Sequence, residues 1–117
     1  MYAVFLAFGP NRSAAPAHMA AHNDWIRKGF EDGVFLMTGS LVPGKGGMVL
    51  AHQISRTDLE ARVAGDPFVR EKIVSAEIHE IQPSRLDERL AFLQARTPPE
   101  PSGSGGIVFP LTPPQPE

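Results

Sequence analysis

Residues 2 to 8, YAVFLAF, are apolar at every position, and Gly9-Pro10 ends the run. That length and ending predict a strand. One face would carry Tyr2, Val4, Leu6 and Phe8, and the other Ala3, Phe5 and Ala7, so both faces need cover. From about residue 13 to 32 the period changes to that of a helix. Pro16 suits its first turn. Ala15, Met19, His22, Ile26, Gly29 and Phe30 fall on one stripe, and Asp24, Arg27, Lys28 and Glu31 fall opposite. Asp32-Gly33 stops the helix. Val34 to Thr38 reads as a second strand, followed by Gly39-Ser40. Residues 43 to 47, PGKGG, carry turn chemistry, and Met48 to Ile54 reads as a third strand. The turn therefore joins a hairpin. Thr57 with Glu60 is a capping box for a short helix that Gly65 ends. Asp66-Pro67 is a cap followed by proline at the first helical position. Ile73 to Ile81 reads as a fourth strand. Pro83-Ser84 opens a last helix to about Ala95, with Leu86, Leu90 and Leu93 on its apolar face.

The order β-α-β-β-α-β, with an extra C-terminal helix, predicts an α+β, ferredoxin-like fold with an antiparallel sheet. Its helices would cover one sheet face. The two-sided apolar strands say that the other face is covered too. A second copy, sheet against sheet, is the economical cover and predicts a homodimer.

Composition divides the chain at residue 96. Seven of the twelve prolines lie in residues 97 to 117, and the net charge of −2 comes from Glu100 and Glu117. Residues 1 to 96 form a neutral domain. The Pro/Gly-rich arm, 97 to 117, has linker composition. Its patch Ile107-Val108-Phe109-Pro110-Leu111 is the obvious anchor for crossing to a partner chain. A neutral body gives no electrostatic case for nucleic acid or an anionic membrane. With no cysteine there is no disulfide framework or thiol nucleophile. No apolar run approaches transmembrane length. The start, MYAVFLAFGP, lacks the basic region of a signal peptide, so the cytoplasm is the expected compartment.

His22 is the most informative residue. It sits inside an apolar helical stripe, where a histidine must find a hydrogen-bond partner. It is either a core histidine bonded to a carbonyl or a general base on a pocket floor. Imidazole exchanges protons near neutral pH, which suits the second role. Asp66 likewise reads two ways: a plain helix cap, or a carboxylate that also fixes an imidazole's tautomer. His18 and His22 have the i, i+4 spacing of helical metal pairs, but no third ligand stands at a familiar spacing. The glycines around Lys45 match no phosphate loop. Ser40 has no base beside it, so a serine triad is unsupported. No cofactor motif is present and no metal is expected.

Together these pieces resemble the YciI-like (YCII) family over residues 1 to 83. The resemblance rests on the YAVFLAF strand, the helix with His22, Gly39 seventeen residues on, the glycine-containing hairpin, and Asp66-Pro67-Phe68-Val69 before the last strand. It implies a dimeric α/β barrel similar to muconolactone isomerases, with a site of His22 and Asp66. Family chemistry includes a dehydrochlorinase of a chlorinated hydroxyhydroquinone. The family's arginine just before the histidine has no equivalent in Ala17-His18-Met19-Ala20-Ala21, and Arg12 is the nearest candidate. The expectation is a cofactor-independent lyase or isomerase acting on a small cyclic or aromatic molecule. Its pocket would lie between helix and sheet, lined by Phe5, Trp25 and Met37, with Ser40 and Arg12 as further substrate contacts. The alternatives are a dimeric module that binds a small ligand without chemistry, and an assembly role for the arm.

Overall fold

The structure, a computed structural model, describes residues 1 to 94. The arm expected over 97 to 117, and its anchor patch, lie outside them. Two compact units divide the chain, Met1–Ile81 and a second that begins at Gln82.

The first unit is the expected α+β fold. Strands β1 (Tyr2–Phe8), β2 (Phe35–Leu41), β3 (Gly46–Ala51) and β4 (Val74–Glu80) form one antiparallel sheet in the order β2-β3-β1-β4. With α1 (Ala15–Glu31) between β1 and β2, and α2 (Arg56–Ala64) and α3 (Pro67–Arg70) between β3 and β4, this is the ferredoxin-like topology. The two-faced apolar run is a central strand, flanked by β3 and β4. Tyr2, Val4 and Leu6 join Phe35, Val49 and Ala51 in the core under the helices. Leu59 and Ile73, both 0% exposed, complete it from α2 and from the residue before β4. Each such side chain contributes about 1.5–3 kcal/mol by leaving water.

Three details depart from the sequence reading. Ser55, not Thr57, caps α2: its hydroxyl accepts from the Asp58 amide at 3.1 Å. Ser55 has extended backbone, as a cap requires, whereas Thr57 already lies inside the first turn. The last helix, expected over 84 to 95, is a 3-10 run over Glu88–Leu93. The Asp87 carboxylate caps the Arg89 amide at 2.9 Å, so helical bonding starts after Asp87, and Leu90 (φ −107°) breaks the run. The third departure is in β2, where the register shifts between Phe35 and Met37. Leu36 is an extra residue there, a bulge. Phe35 therefore pairs with Ala51 on the helix side, and Met37 pairs with Leu50 on the opposite side.

Two glycines set distances. Gly46 has φ +137°, and a Cβ on it would overlap the Leu6 carbonyl of β1. Gly29 is buried in α1, and its missing Cβ is the space occupied by the Phe35 ring. Farther along, the C-terminal end of α1 is tied to α2 by polar bonds. The Trp25 indole N–H donates to the Arg62 carbonyl at 2.9 Å, and the Arg62 guanidinium donates to Asp32 at 2.9 Å. Asp32 stands where the helix dipole disfavours an anion. The hydrogen bonds from Arg62 and Lys28 offset this and hold its carboxyl below the usual aspartate range. Among the described residues no helix is long and apolar enough to cross a membrane.

Gly29→Ala tests the α1–β2 contact. Alanine would gain up to about 1 kcal/mol of helix propensity on an open face. Against the Phe35 ring the clash dominates, and we expect a net loss of about 1–3 kcal/mol in denaturant unfolding. A variant as stable as the parent would show that this helix does not pack on Phe35.

Candidate functional site

The site begins with a cap. Asp66 precedes Pro67 at the start of α3, and its Oδ1 accepts the Phe68 amide at 3.0 Å. The cap turn is also closed by main-chain bonds from Val69 and Arg70 to the Asp66 carbonyl. This fixes the carboxylate at the inner end of α3, with the residue 0% exposed. The apolar stripe of α1 brings His22 to the same point. His22 Nδ1 lies 2.8 Å from Asp66 Oδ1, and only 13% of the histidine side chain is exposed.

The hydrogen-bond roles follow from chemistry. An ionised carboxylate only accepts, so Nδ1 must carry the proton. In neutral imidazole the lone pair then sits on Nε2. Nε2 has no hydrogen-bond partner among the described residues and is not sealed from the surface. The ring plane is fixed as well. Phe68 stacks on the imidazole with centroids 4.0 Å apart and planes 5° apart, and Trp25 follows at 6.0 Å. One short turn, Asp66-Pro67-Phe68, thus supplies both the carboxylate that orients His22 and the aromatic face beneath it. Asp66 Oδ2 is buried and has no hydrogen-bond partner among the described residues.

His22 opens on a cavity of about 340 Å³, within the size range of small-molecule sites. Leu6, Phe8, Met19, Ile26, Phe68 and Val74 supply apolar wall. Asn23, Thr38 and Ser40 add polar groups, and Gly44, Gly46 and Gly47 leave the turn and the start of β3 bare of side chains. Among the described residues that line it, His22 is the only titratable one.

The expected pocket residues separate. His22 and Ser40 line the cavity. Arg12 is not in the lining, but its guanidinium lies over the ring of the lining residue Phe8 at 4.2 Å. Phe5 pairs with Met48 and Glu77 on the sheet face away from the helices, and its ring meets His79. The bulge puts Met37 on that face too, 48% exposed. Trp25 lies behind the imidazole and packs edge-on against Phe35. The expected lining by Phe5, Trp25 and Met37 is therefore corrected: none of the three borders this cavity. Phe68 was legible as part of the Asp-Pro-Phe-Val element, but its stacking on His22 was not. Among the described residues no three His, Cys, Asp or Glu side chains converge as metal ligands, and the Nδ1 of His22 is engaged by Asp66.

No protein-family model matches the sequence, and neither does any curated protein. One solved structure with the same fold is the 5-chloro-2-hydroxyhydroquinone dehydrochlorinase from Burkholderia phenoliruptrix AC1100, in complex with 2,5-dihydroxybenzoquinone. The TM-score is 0.60 at 12% identity, covering 68% of this chain and 91% of that one.

The tautomer is measurable. Nitrogen-15 shifts of His22 should show the neutral ring protonated on Nδ1. Asp66→Asn keeps a capping oxygen and should remain folded. Asp66→Ala removes cap and acceptor, and should lose the Nδ1 preference along with at least about 1 kcal/mol of stability. An Nε2–H tautomer in the parent protein would contradict the arrangement.

Proposed function

We propose that this chain is a YciI-like, cofactor-independent enzyme of the lyase or isomerase kind, in which His22 is the general base and Asp66 orients it. The observation that carries this reading is one imidazole whose Nδ1 is held by a buried carboxylate while Nε2 is left open beside a small cavity. A base needs its proton-accepting atom free and its tautomer fixed. The substrate is a single small ring, which suits about 340 Å³ of apolar space with a few polar groups. Nε2 takes a proton from a hydroxyl or carbon of that ring. Asp66 keeps its bond to Nδ1–H and stabilises the imidazolium. The electron pair left on the substrate then expels a leaving group such as chloride, or collects a proton at another carbon. A dehydrochlorinase with this fold supports the elimination. In this reading the protein works in the cytoplasm.

The assembly belongs to the same proposal. A second copy covers the sheet face that carries Phe5, Met37, Met48 and Leu50. Phe5→Asp should lower the solution mass from that of a dimer to that of a monomer. A dimer that persists in a folded Phe5→Asp variant rules this face out.

A second reading, a ligand-binding module without chemistry, is favoured by the parallel stack of His22 on Phe68, which would also suit a purely structural ring. One experiment separates the two. Chloride release from 5-chloro-2-hydroxyhydroquinone should fall by about 10²–10⁴-fold in His22→Gln. Equal rates in the two proteins, with circular dichroism unchanged, would remove His22 as the base.

A further inference from the structure

The geometry points to Arg12 as the anion-holding group of the His22 cavity, and so to a ring substrate that carries an ionised hydroxyl or a carboxylate. The inference rests on the reading of this cavity as a substrate site, but not on His22 acting as a base.

Arginines 27, 56, 62, 70 and 89 are each paired with a carboxylate. Among the described residues Arg12 and Arg85 are not. Only Arg12 stands beside the cavity. Its guanidinium carbon is 4.2 Å from the centroid of Phe8, and a Cβ placed on Gly44 would lie 3.6 Å from its Nη2. Phe8, at the end of β1, and Gly44, in the turn between β2 and β3, both border the cavity. The guanidinium is therefore held in place by an aromatic face, which orients it without consuming its hydrogen bonds.

Among the described residues no carboxylate pairs with that charge, and none of those that line the cavity is acidic. The first turn of α1, three residues after Arg12, has no acidic residue and no side-chain cap, so its positive dipole end adds to the same field. Lys45, between Gly44 and Gly46 in the turn, is exposed and also lacks a carboxylate partner among the described residues. Asp66 is turned to His22 and the Phe68 amide. A cavity whose neighbouring free charges are cationic, with an apolar wall and one open imidazole nitrogen, selects a flat ring with an acidic substituent. An arginine fork meets two oxygens of such a substituent better than an ammonium does.

Calorimetric titration tests this with two probes of similar ring size. 2,5-Dihydroxybenzoquinone is anionic near neutral pH, and hydroquinone is neutral. The parent protein should bind the anion at least about tenfold more tightly, and Arg12→Met should erase about that factor while leaving hydroquinone binding unchanged. Arg12→Lys should recover only part of it. No binding of the anion by the parent, an unchanged affinity in Arg12→Met, or an equal loss for both probes would overturn the inference. His22→Gln keeps the outcomes apart. If it binds the anion normally and loses no turnover, the base assignment fails and the anion site stands. If turnover collapses while Arg12→Met binds normally, the reverse holds.

Discussion

A carboxylate withdrawn from water costs several kcal/mol unless its charge and lone pairs are met. Asp66 is such a group, and the rest of the site is arranged around meeting it. One oxygen accepts both the first amide of α3 and the imidazole of α1. That single atom joins two elements separated by 44 residues in sequence. If α3 rotated, the cap and the imidazole bond would be lost together. If α1 slid by a turn, a carboxylate would remain buried without its imidazole donor. The packing of α1 on the sheet through Gly29 and Phe35, and the bonds from Trp25 and Asp32 to α2, hold the helix in the one place where the pair forms.

Much of this was legible in the sequence because local rules and the fold agree. The all-apolar run at residues 2 to 8 read as a strand, and it is the strand between β3 and β4. The stripe through His22 and the cap at Asp66 were each visible. That they face each other came from the family resemblance, since no local pattern measures a distance across 44 residues. Where the reading failed, the reason is physical. An alternating strand would carry Phe35 and Met37 on one face, and the bulge at Leu36 reverses that. Phe5 lies in a strand apolar on both sides, where alternation says nothing about which face looks at the helix. The 3-10 run at Glu88–Leu93 shows leucine spacing without the hydrogen bonding that spacing suggests, because the Asp87 cap sets a later start.

The fold alone says little about chemistry, since one topology carries many activities. On the proposed function, the weight rests on a small set of atoms: an acceptor nitrogen left open, a carboxylate behind it, and an aromatic plane that stops the ring from turning. The groups in and beside the cavity are less constrained. Thr38 and Ser40 come from the edge strand, Asn23 and Met19 from the outer half of α1, and Arg12 from the turn before it.

The two sides of the cavity differ in how freely they can diverge. Where Gly44, Gly46 and Gly47 line it the wall is main chain, and at Gly46 neither the backbone angle nor the Leu6 carbonyl admits a side chain. Mutation cannot readily decorate that wall without moving two strands. On the helical side Met19 and Asn23 are exposed and take part in no core contact, so almost any residue of moderate size fits there. Over evolutionary time, a change of ligand in this scaffold would be written on α1, one turn either side of the histidine, while the glycine wall stays as it is.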